Sequence, residues 1–334
     1  MSELSYVDFP LEKIKLNMCY RNLNLLKEIE ERSQNSISLP KVDAAIGPVL
    51  FPRQLESRPY TVSCIVLSSD GKMSYSDFHD GPTIAKNNYR DPNGALADFW
   101  ILNVLRAYCD GVIIGARTIQ CEPNMTSHVF DRELADERVK YLKKTKHPLN
   151  IVVSFDGTDI PFHHKIFHIE DEDFPISVAT SQDGMKYISK KCGLPHFFIG
   201  PYTSIDQVDK DEIKGIMKKN SGIPVFVTGE QKITDTRVLL AILKGLGIKL
   251  LAVESPSYTG NLINMGLLDE YIINYSMVFA GSSITPMTNF PFNHNDHPHA
   301  DLVTLGTHKA NFIYTRQKLL YGLKKETDLA TPKY

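Results

Sequence analysis

The 334-residue sequence has no excess of charge of either sign: 37 Lys and Arg stand against 39 Asp and Glu, a formal net charge of -2. Nucleic-acid binding by counterion release needs clustered surplus Lys and Arg. A small substrate is therefore the expected partner. Cysteine is also sparse. Cys19, Cys64, Cys109, Cys121 and Cys192 are odd in number and include no C-x-x-C pair, which argues against a disulfide framework or a zinc knuckle. No apolar run approaches the roughly 20 residues that cross a bilayer. The start, MSELSYVDFPLEKIKLN, has early acids and no uninterrupted apolar stretch, unlike a secretory signal. Together these absences predict a reduced, cytoplasmic protein without membrane contact.

Several catalytic signatures are missing as well. There is no G-x-G-x-x-G after a strand, no G-x-x-x-x-G-K-[ST] and no G-x-S-x-G. His168-Ile169-Glu170 matches the H-x-E of zinc deaminases but lacks the downstream P-C-x-x-C. His294, His297 and His299 flank Asp296, and a polar surface loop is expected there rather than a metal site. Phe162-His163-His164 reads as solvated for the same reason. No metal is expected.

What is present is an ordinary globular composition, 42% apolar and 23% charged. At about 150 residues per domain the length suits one large or two ordinary domains. Residues 1–55 read as a helical appendage, with an amphipathic helix over 11–32 followed by Pro40, Pro48, Pro52 and Pro59. A main domain is expected over 56–325 and a tail over 326–334. In the main domain, short apolar runs at 61–68, 111–115, 150–155, 175–180, 196–200, 224–229, 248–254 and 271–279 alternate with helical patterns. Asp91-Pro92 supplies a cap and a first-turn proline for one such helix. Residues 301–316 read as two strands around a turn at Gly306. The expected fold is α/β: a mostly parallel sheet flanked by helices, with a C-terminal antiparallel strand pair. Ligands of such sheets sit at the carboxyl ends of the strands.

Four loops at those ends combine glycine with hydroxyl residues or a carboxylate: Ser68-Ser69-Asp70-Gly71-Lys72, Gly115-Ala116-Arg117-Thr118, Gly229-Glu230 and Glu254-Ser255-Pro256-Ser257. Glycine admits a ligand close to the main chain, and helix-start N–H groups hold phosphate oxygens. Tight turns select the same residues, so each loop alone says little. In order, SSDGKM, LRAYCDGVIIGARTIQCEPNMT and LLAVESPSYTGNLINMGLLDEYIINYSMVFAG resemble the reductase domain of the riboflavin-biosynthesis deaminase-reductases. The resemblance covers roughly 58–316.

The resemblance implies a dihydrofolate-reductase-like fold, NADPH as cofactor and hydride transfer to a ribosylaminopyrimidine 5′-phosphate. The specific expectation is 5-amino-6-(5-phosphoribosylamino)uracil or the related diaminopyrimidine. It places Gly115, Thr118, Gly229, Ser255, Pro256, Ser257 and Gly281 at the cofactor, Asp70 and Glu122 as catalytic carboxylates, and Cys64, Ser68, Thr126 and His128 at the substrate. It also implies a homodimer. The chain departs from the pattern at three points. Cys64 stands where the family has Lys, His128 where it has the phosphate-binding Arg, and Glu254-Ser255-Pro256 replaces a glycine-rich E-G-G-P. A fixed bidentate cation has thus become a titratable ring. The segment 75–93 is a longer insertion, expected to lid the site. Alternative readings are a reductase of another small substrate, such as a dihydropteridine, and a non-catalytic cofactor-binding protein.

Overall fold

The computed structural model describes residues 4–33, 37–52, 55–287 and 291–323. Its strands are β1 (Asn17–Arg21), β2 (Tyr60–Ser68), β3 (Gly111–Gly115), β4 (Leu149–Val153), β5 (Ile176–Thr180), β6 (His196–Tyr202), β7 (Ile223–Thr228), β8 (Leu250–Val253), β9 (Glu270–Ser276), β10 (His299–His308) and β11 (Phe312–Leu320). The helices are α1 (Leu11–Ile14), α2 (Leu23–Arg32), α3 (Pro40–Ile46), α4 (Thr83–Lys86), α5 (Pro92–Tyr108), α6 (Ala116–Cys121), α7 (Arg132–Leu142), α8 (Gln182–Lys191), α9 (Lys210–Lys219), α10 (Thr236–Gly245) and α11 (Pro256–Asn264). The strands form one sheet in the order β1-β10-β11-β9-β2-β8-β3-β4-β5-β7-β6. From β9 to β6 every pairing is parallel, whereas β1, β10, β11 and β9 pair antiparallel.

The parallel strands are continuous apolar runs because both faces are covered. Along β3, Val112 and Ile114 enter the core beside α5, while Ile113 enters the opposite core beside α10. Each such side chain contributes about 1.5–3 kcal/mol by leaving water. The cap expected for α5 is formed: Asp91 Oδ1 accepts from Gly94 N–H at 3.0 Å. Asp235 caps α10 in the same way, accepting from Arg237 and Val238 N–H at 2.8 and 3.0 Å.

Two local expectations differ from the structure. The single helix over 11–32 is instead α1, the edge strand β1 and α2. β1 pairs antiparallel with β10 through a register shift between Met18 and Tyr20, and Asn22 Oδ1 then caps α2 by accepting from Leu25 N–H at 3.2 Å. Ile14, Leu39, Val42 and Phe51 of this segment lie in the same core as Trp100 and Leu105 of α5. Gly306 lies inside β10, opposite Tyr314, and the turn falls at 309–311 with Lys309 at φ 49°. Glycine is used at 306 for closeness, since a Cβ there would lie 2.9 Å from Met18 Sδ. The expected tail 326–334 lies outside the described residues. Among the described residues no helix is long and apolar enough to cross a membrane, and no group of three or more His, Cys, Asp or Glu could hold a metal ion.

Candidate active site

Because β9, β2, β8 and β3 are parallel neighbours, the loops leaving their carboxyl ends share one edge of the sheet. That edge gathers Ser68, Asp70, Gly115, Ser255 and Gly281. Gly229 follows β7 on the same edge, separated from β3 by β4 and β5.

The loop after β2 is a closed turn. Ser68 Oγ donates to Asp70 Oδ1 at 2.6 Å and accepts from Lys72 N–H at 2.9 Å, with Gly71 at φ 73°. Asp70 also accepts from Ala280 and Gly281 N–H, at 3.0 and 2.9 Å, so it staples this turn to the segment after β9. The Ser68 hydroxyl, followed by those two amides, holds the Asp70 carboxyl down at about 2. A carboxylate so stabilised stays ionised at neutral pH and does not act as an acid.

At the next two strand ends two hydroxyls converge. A Cβ on Gly115 would lie 2.8 Å from Ser255 Oγ and 3.4 Å from Thr118 Oγ1. The missing side chain is what lets the loops of β3 and β8 meet. Ser255 caps α11, its hydroxyl accepting from Tyr258 N–H at 3.4 Å. Pro256 occupies the first turn and Ser257 is exposed there, where helix-start N–H groups have no intrahelical partner. Two hydroxyls and a helix start form a cradle suited to phosphate oxygens.

Beneath this cradle lies a buried ion pair that the sequence did not announce. Arg106 of α5 donates to Glu254 through Nε at 2.7 Å and Nη2 at 2.6 Å, and its Nη1 donates to the His128 carbonyl at 3.1 Å. The partners are 148 residues apart. The available signal was a lone charge, Arg106, on the apolar face of α5.

Two further carboxylates have no ion-pair partner among the described residues. Glu122, half-buried at the end of α6, is pushed up to about 7 by burial and then by the negative charges of Asp80 and Glu254, against weaker opposition from Arg106 and Lys86. The 75–93 insertion reaches it, since a Cβ on Gly81 would lie 3.3 Å from Glu122 Oε1. Asp98 of α5 is raised to about 6 by burial, offset in part by a 2.7 Å hydrogen bond from Asn274 Nδ2. Cys64 lies 4.0 Å from the same Asn274 nitrogen, and burial pushes its thiol up. Each of these carboxyls is raised toward the range in which acid–base chemistry runs at neutral pH. Asp98 and Asn274 had no motif to mark them.

The 126–128 segment touches the Arg106–Glu254 pair through the His128 carbonyl and the Ser127 hydroxyl, while the Thr126 and His128 side chains bond each other. Both are buried, and His128 Nδ1 pairs with Thr126 Oγ1 at 2.8 Å while Nε2 donates to the Ser5 carbonyl at 2.6 Å. Burial depresses His128 to about 3, so the ring is neutral and cannot take the phosphate role expected of it. The conformation of Gly229, φ 73°, is demanded by its own turn, where a Cβ would lie 2.0 Å from the Ile233 carbonyl oxygen. A groove of about 650 Å³ lies elsewhere, between residues 6–9, α3 and α7. His297 stacks on His299 at 4.8 Å on the surface.

No protein-family model matches the chain, and no curated protein matches it. Among solved structures it is similar to a pyrimidine reductase-like protein from Corynebacterium diphtheriae, with 15% identity over 80% of this chain and 94% of that one, at a TM-score of 0.56. It is also similar to RibD from Acinetobacter baumannii, with 18% identity over 79% of this chain and a TM-score of 0.51. The chain has the fold of the pyrimidine reductases. It spans 59% of the RibD chain.

Proposed function

We propose that the protein is an NADPH-dependent reductase of a ribosylaminopyrimidine phosphate, 5-amino-6-(5-phosphoribosylamino)uracil or the related diaminopyrimidine, converting its ribose to a ribityl chain. The observation that carries this reading is the meeting of Thr118 and Ser255 at Gly115, at the ends of neighbouring strands in a pyrimidine-reductase fold. Gly115, Thr118, Ser255, Pro256 and Ser257 hold the cofactor phosphates. NADPH, when bound, supplies the hydride. The Arg106–Glu254 pair fixes the floor beneath the cradle, and the Asp70 staple fixes the adjoining wall through Gly281. Reduction consumes one proton with each hydride. Glu122, titrating about 7, exchanges that proton at the sugar, a role Asp70 at about 2 cannot fill. Gly229 follows β7 on the same edge of the sheet, with β4 and β5 between it and β3.

The test is incubation of the purified protein with NADPH and the phosphoribosylaminouracil. The expected result is loss of reduced-nicotinamide absorbance together with a product two hydrogens heavier. NADPH binding without turnover rejects the substrate. One observation favours a second reading, a dihydropteridine substrate: position 128 supplies no phosphate cation because its ring is buried and neutral. Turnover of a dihydropteridine in place of the sugar phosphate selects that reading. The homodimer expected from the resemblance is checked by light scattering.

A further inference from the structure

The groove of about 650 Å³ between residues 6–9, α3 and α7 takes no part in the reductase reading. A hollow of about 320 Å³ shares Asp8, Phe9, Lys41, Glu133 and Glu137 with it and runs on along Pro10 and Leu11, so the two form one elongated trough. Glu133, Asp136 and Glu137 line it from one stripe of α7, three and four residues apart. Like charges at that spacing weaken a helix. Lys41 of α3 offsets part of the repulsion, its Nζ meeting Asp131 at 2.8 Å and Glu133 at 3.1 Å. Glu137 is nine-tenths buried and has no ion-pair partner among the described residues; both its oxygens turn to a single donor, the Lys41 main-chain N–H, at 3.0 and 3.3 Å. Burial pushes its carboxyl up to about 7 against that N–H, with Glu133 and Asp131 adding to the rise and the Lys41 charge opposing it. Asp136 and, on the facing segment, Asp8 are exposed. The other two cations of the lining rest on aromatic rings, Arg132 over Tyr6 at 4.2 Å and Lys140 over Tyr141 at 4.8 Å.

The trough thus presents three carboxylates, on two walls, that its own cations do not pair. A cationic ligand answers them. A metal ion does not, since among the described residues no three acidic or histidine side chains converge as a metal site. Val7, Phe9 and Tyr141 share the lining with these acids, and charges interspersed with apolar surface match ammonium groups separated by methylenes. We propose that the groove binds a linear aliphatic polyamine, its ammonium groups on Glu137, Asp136 and Asp8 and its methylenes along Val7, Phe9 and Tyr141. The Arg132 guanidinium on Tyr6 shows that aromatic faces here already hold a cation, and a ligand ammonium gains from such faces in the same way. Burial of Glu137 makes its bond to an ammonium stronger than a surface pair. Residues 6–9 and α3 lie outside the 58–316 stretch that carries the reductase motifs, so the assignment does not depend on the reductase reading.

Calorimetric titration of the full chain at pH 7 and low salt, with spermidine, butylamine and magnesium ion as probes, tests it. Spermidine is expected to bind about tenfold or more tightly than either of the others. Glu137→Gln keeps an acceptor for the Lys41 N–H and should weaken spermidine about tenfold. The double variant Asp8→Asn with Asp136→Asn changes only exposed side chains, and should weaken it about threefold or more; it decides the matter if the melt of Glu137→Gln is not cooperative. Asp206→Asn, an exposed acid that follows β6 at the far edge of the sheet, should leave the affinity unchanged. No binding of spermidine, equal binding of butylamine or magnesium, unchanged affinity in the groove variants, or an equal loss in Asp206→Asn overturns the assignment.

Discussion

Two regions of the molecule bury carboxylates in opposite ways. In the antiparallel wing, Glu270 at the start of β9 is fully buried and meets Arg316 through two hydrogen bonds, 2.6 and 3.0 Å, with the Tyr60 hydroxyl donating a third at 2.8 Å. Arg316 also stacks over the Phe51 ring at 4.5 Å and donates to the Leu50 carbonyl, so the same pair clamps the amino-terminal segment to the sheet. At the other end, Asp98 and Glu122 have no ion-pair partner among the described residues, and burial raises both. Buried charge that serves the fold is neutralised within hydrogen-bonding distance. By that contrast Asp98 and Glu122 are the carboxylates we propose for chemistry.

The sharpest break in that comparison comes from the wing. Arg316→Met strands Glu270 as a buried, uncompensated charge and should cost about 3–5 kcal/mol in urea unfolding; a loss under about 1 kcal/mol would mean the pair does not hold the wing. Glu122→Gln should behave in the opposite sense. Because the Glu122 carboxyl titrates about 7 in the fold against 4.5 as its ordinary value, the native state keeps a proton that the unfolded chain has released. The wild type is therefore fully stabilised by this group below pH 4.5 and loses that contribution as pH rises through 7. Asp80 and Glu254 reinforce the shift, and Arg106 and Lys86 oppose it. The variant should lack this slope and gain about 1–2 kcal/mol on wild type between those limits, after allowance for partial exposure. A constant difference at all pH values would remove the uncompensated acid from the account.

Smaller effects follow from the glycines. Gly115→Ala presses on the Ser255 hydroxyl, only 2.8 Å from the new carbon, and should weaken NADPH about tenfold at a stability cost of about 1–2 kcal/mol. An unchanged cofactor affinity would detach the two hydroxyls from the cradle. Gly306→Ala meets the flexible end of Met18 at 2.9 Å, so a shift below about 1 kcal/mol is expected in the same unfolding assay. A larger loss would show that the β1 edge cannot adjust.

Most of the parallel sheet was legible because a strand buried on both faces is an unbroken apolar run, as in Gly111–Gly115, whose limits coincide with β3. The α5 start was legible because Asp91-Pro92 is a capping signal with a mechanism. Residues 11–32 were not, because a polar stretch of helical period also accommodates a short edge strand once β10 supplies its hydrogen bonds. Gly306 misled for a related reason: glycine signals a turn in isolation, while here it makes room for a neighbouring strand. In the site, Gly115 and Ser255 were readable as small residues at strand ends. Arg106 and Glu254 were not, since their pairing exists only after folding brings α5 under β8. His128 was misplaced because burial, which decides that its ring is neutral, leaves no trace in the local sequence.

The central claim is that the loops after β3 and β8 hold a dinucleotide. Thermal unfolding of the wild-type protein with increasing NADPH tests it most directly. A real site raises stability by about 2.7 kcal/mol at one hundred times the dissociation constant, with a smaller rise in Gly115→Ala at equal cofactor. No shift at millimolar NADPH would contradict the account.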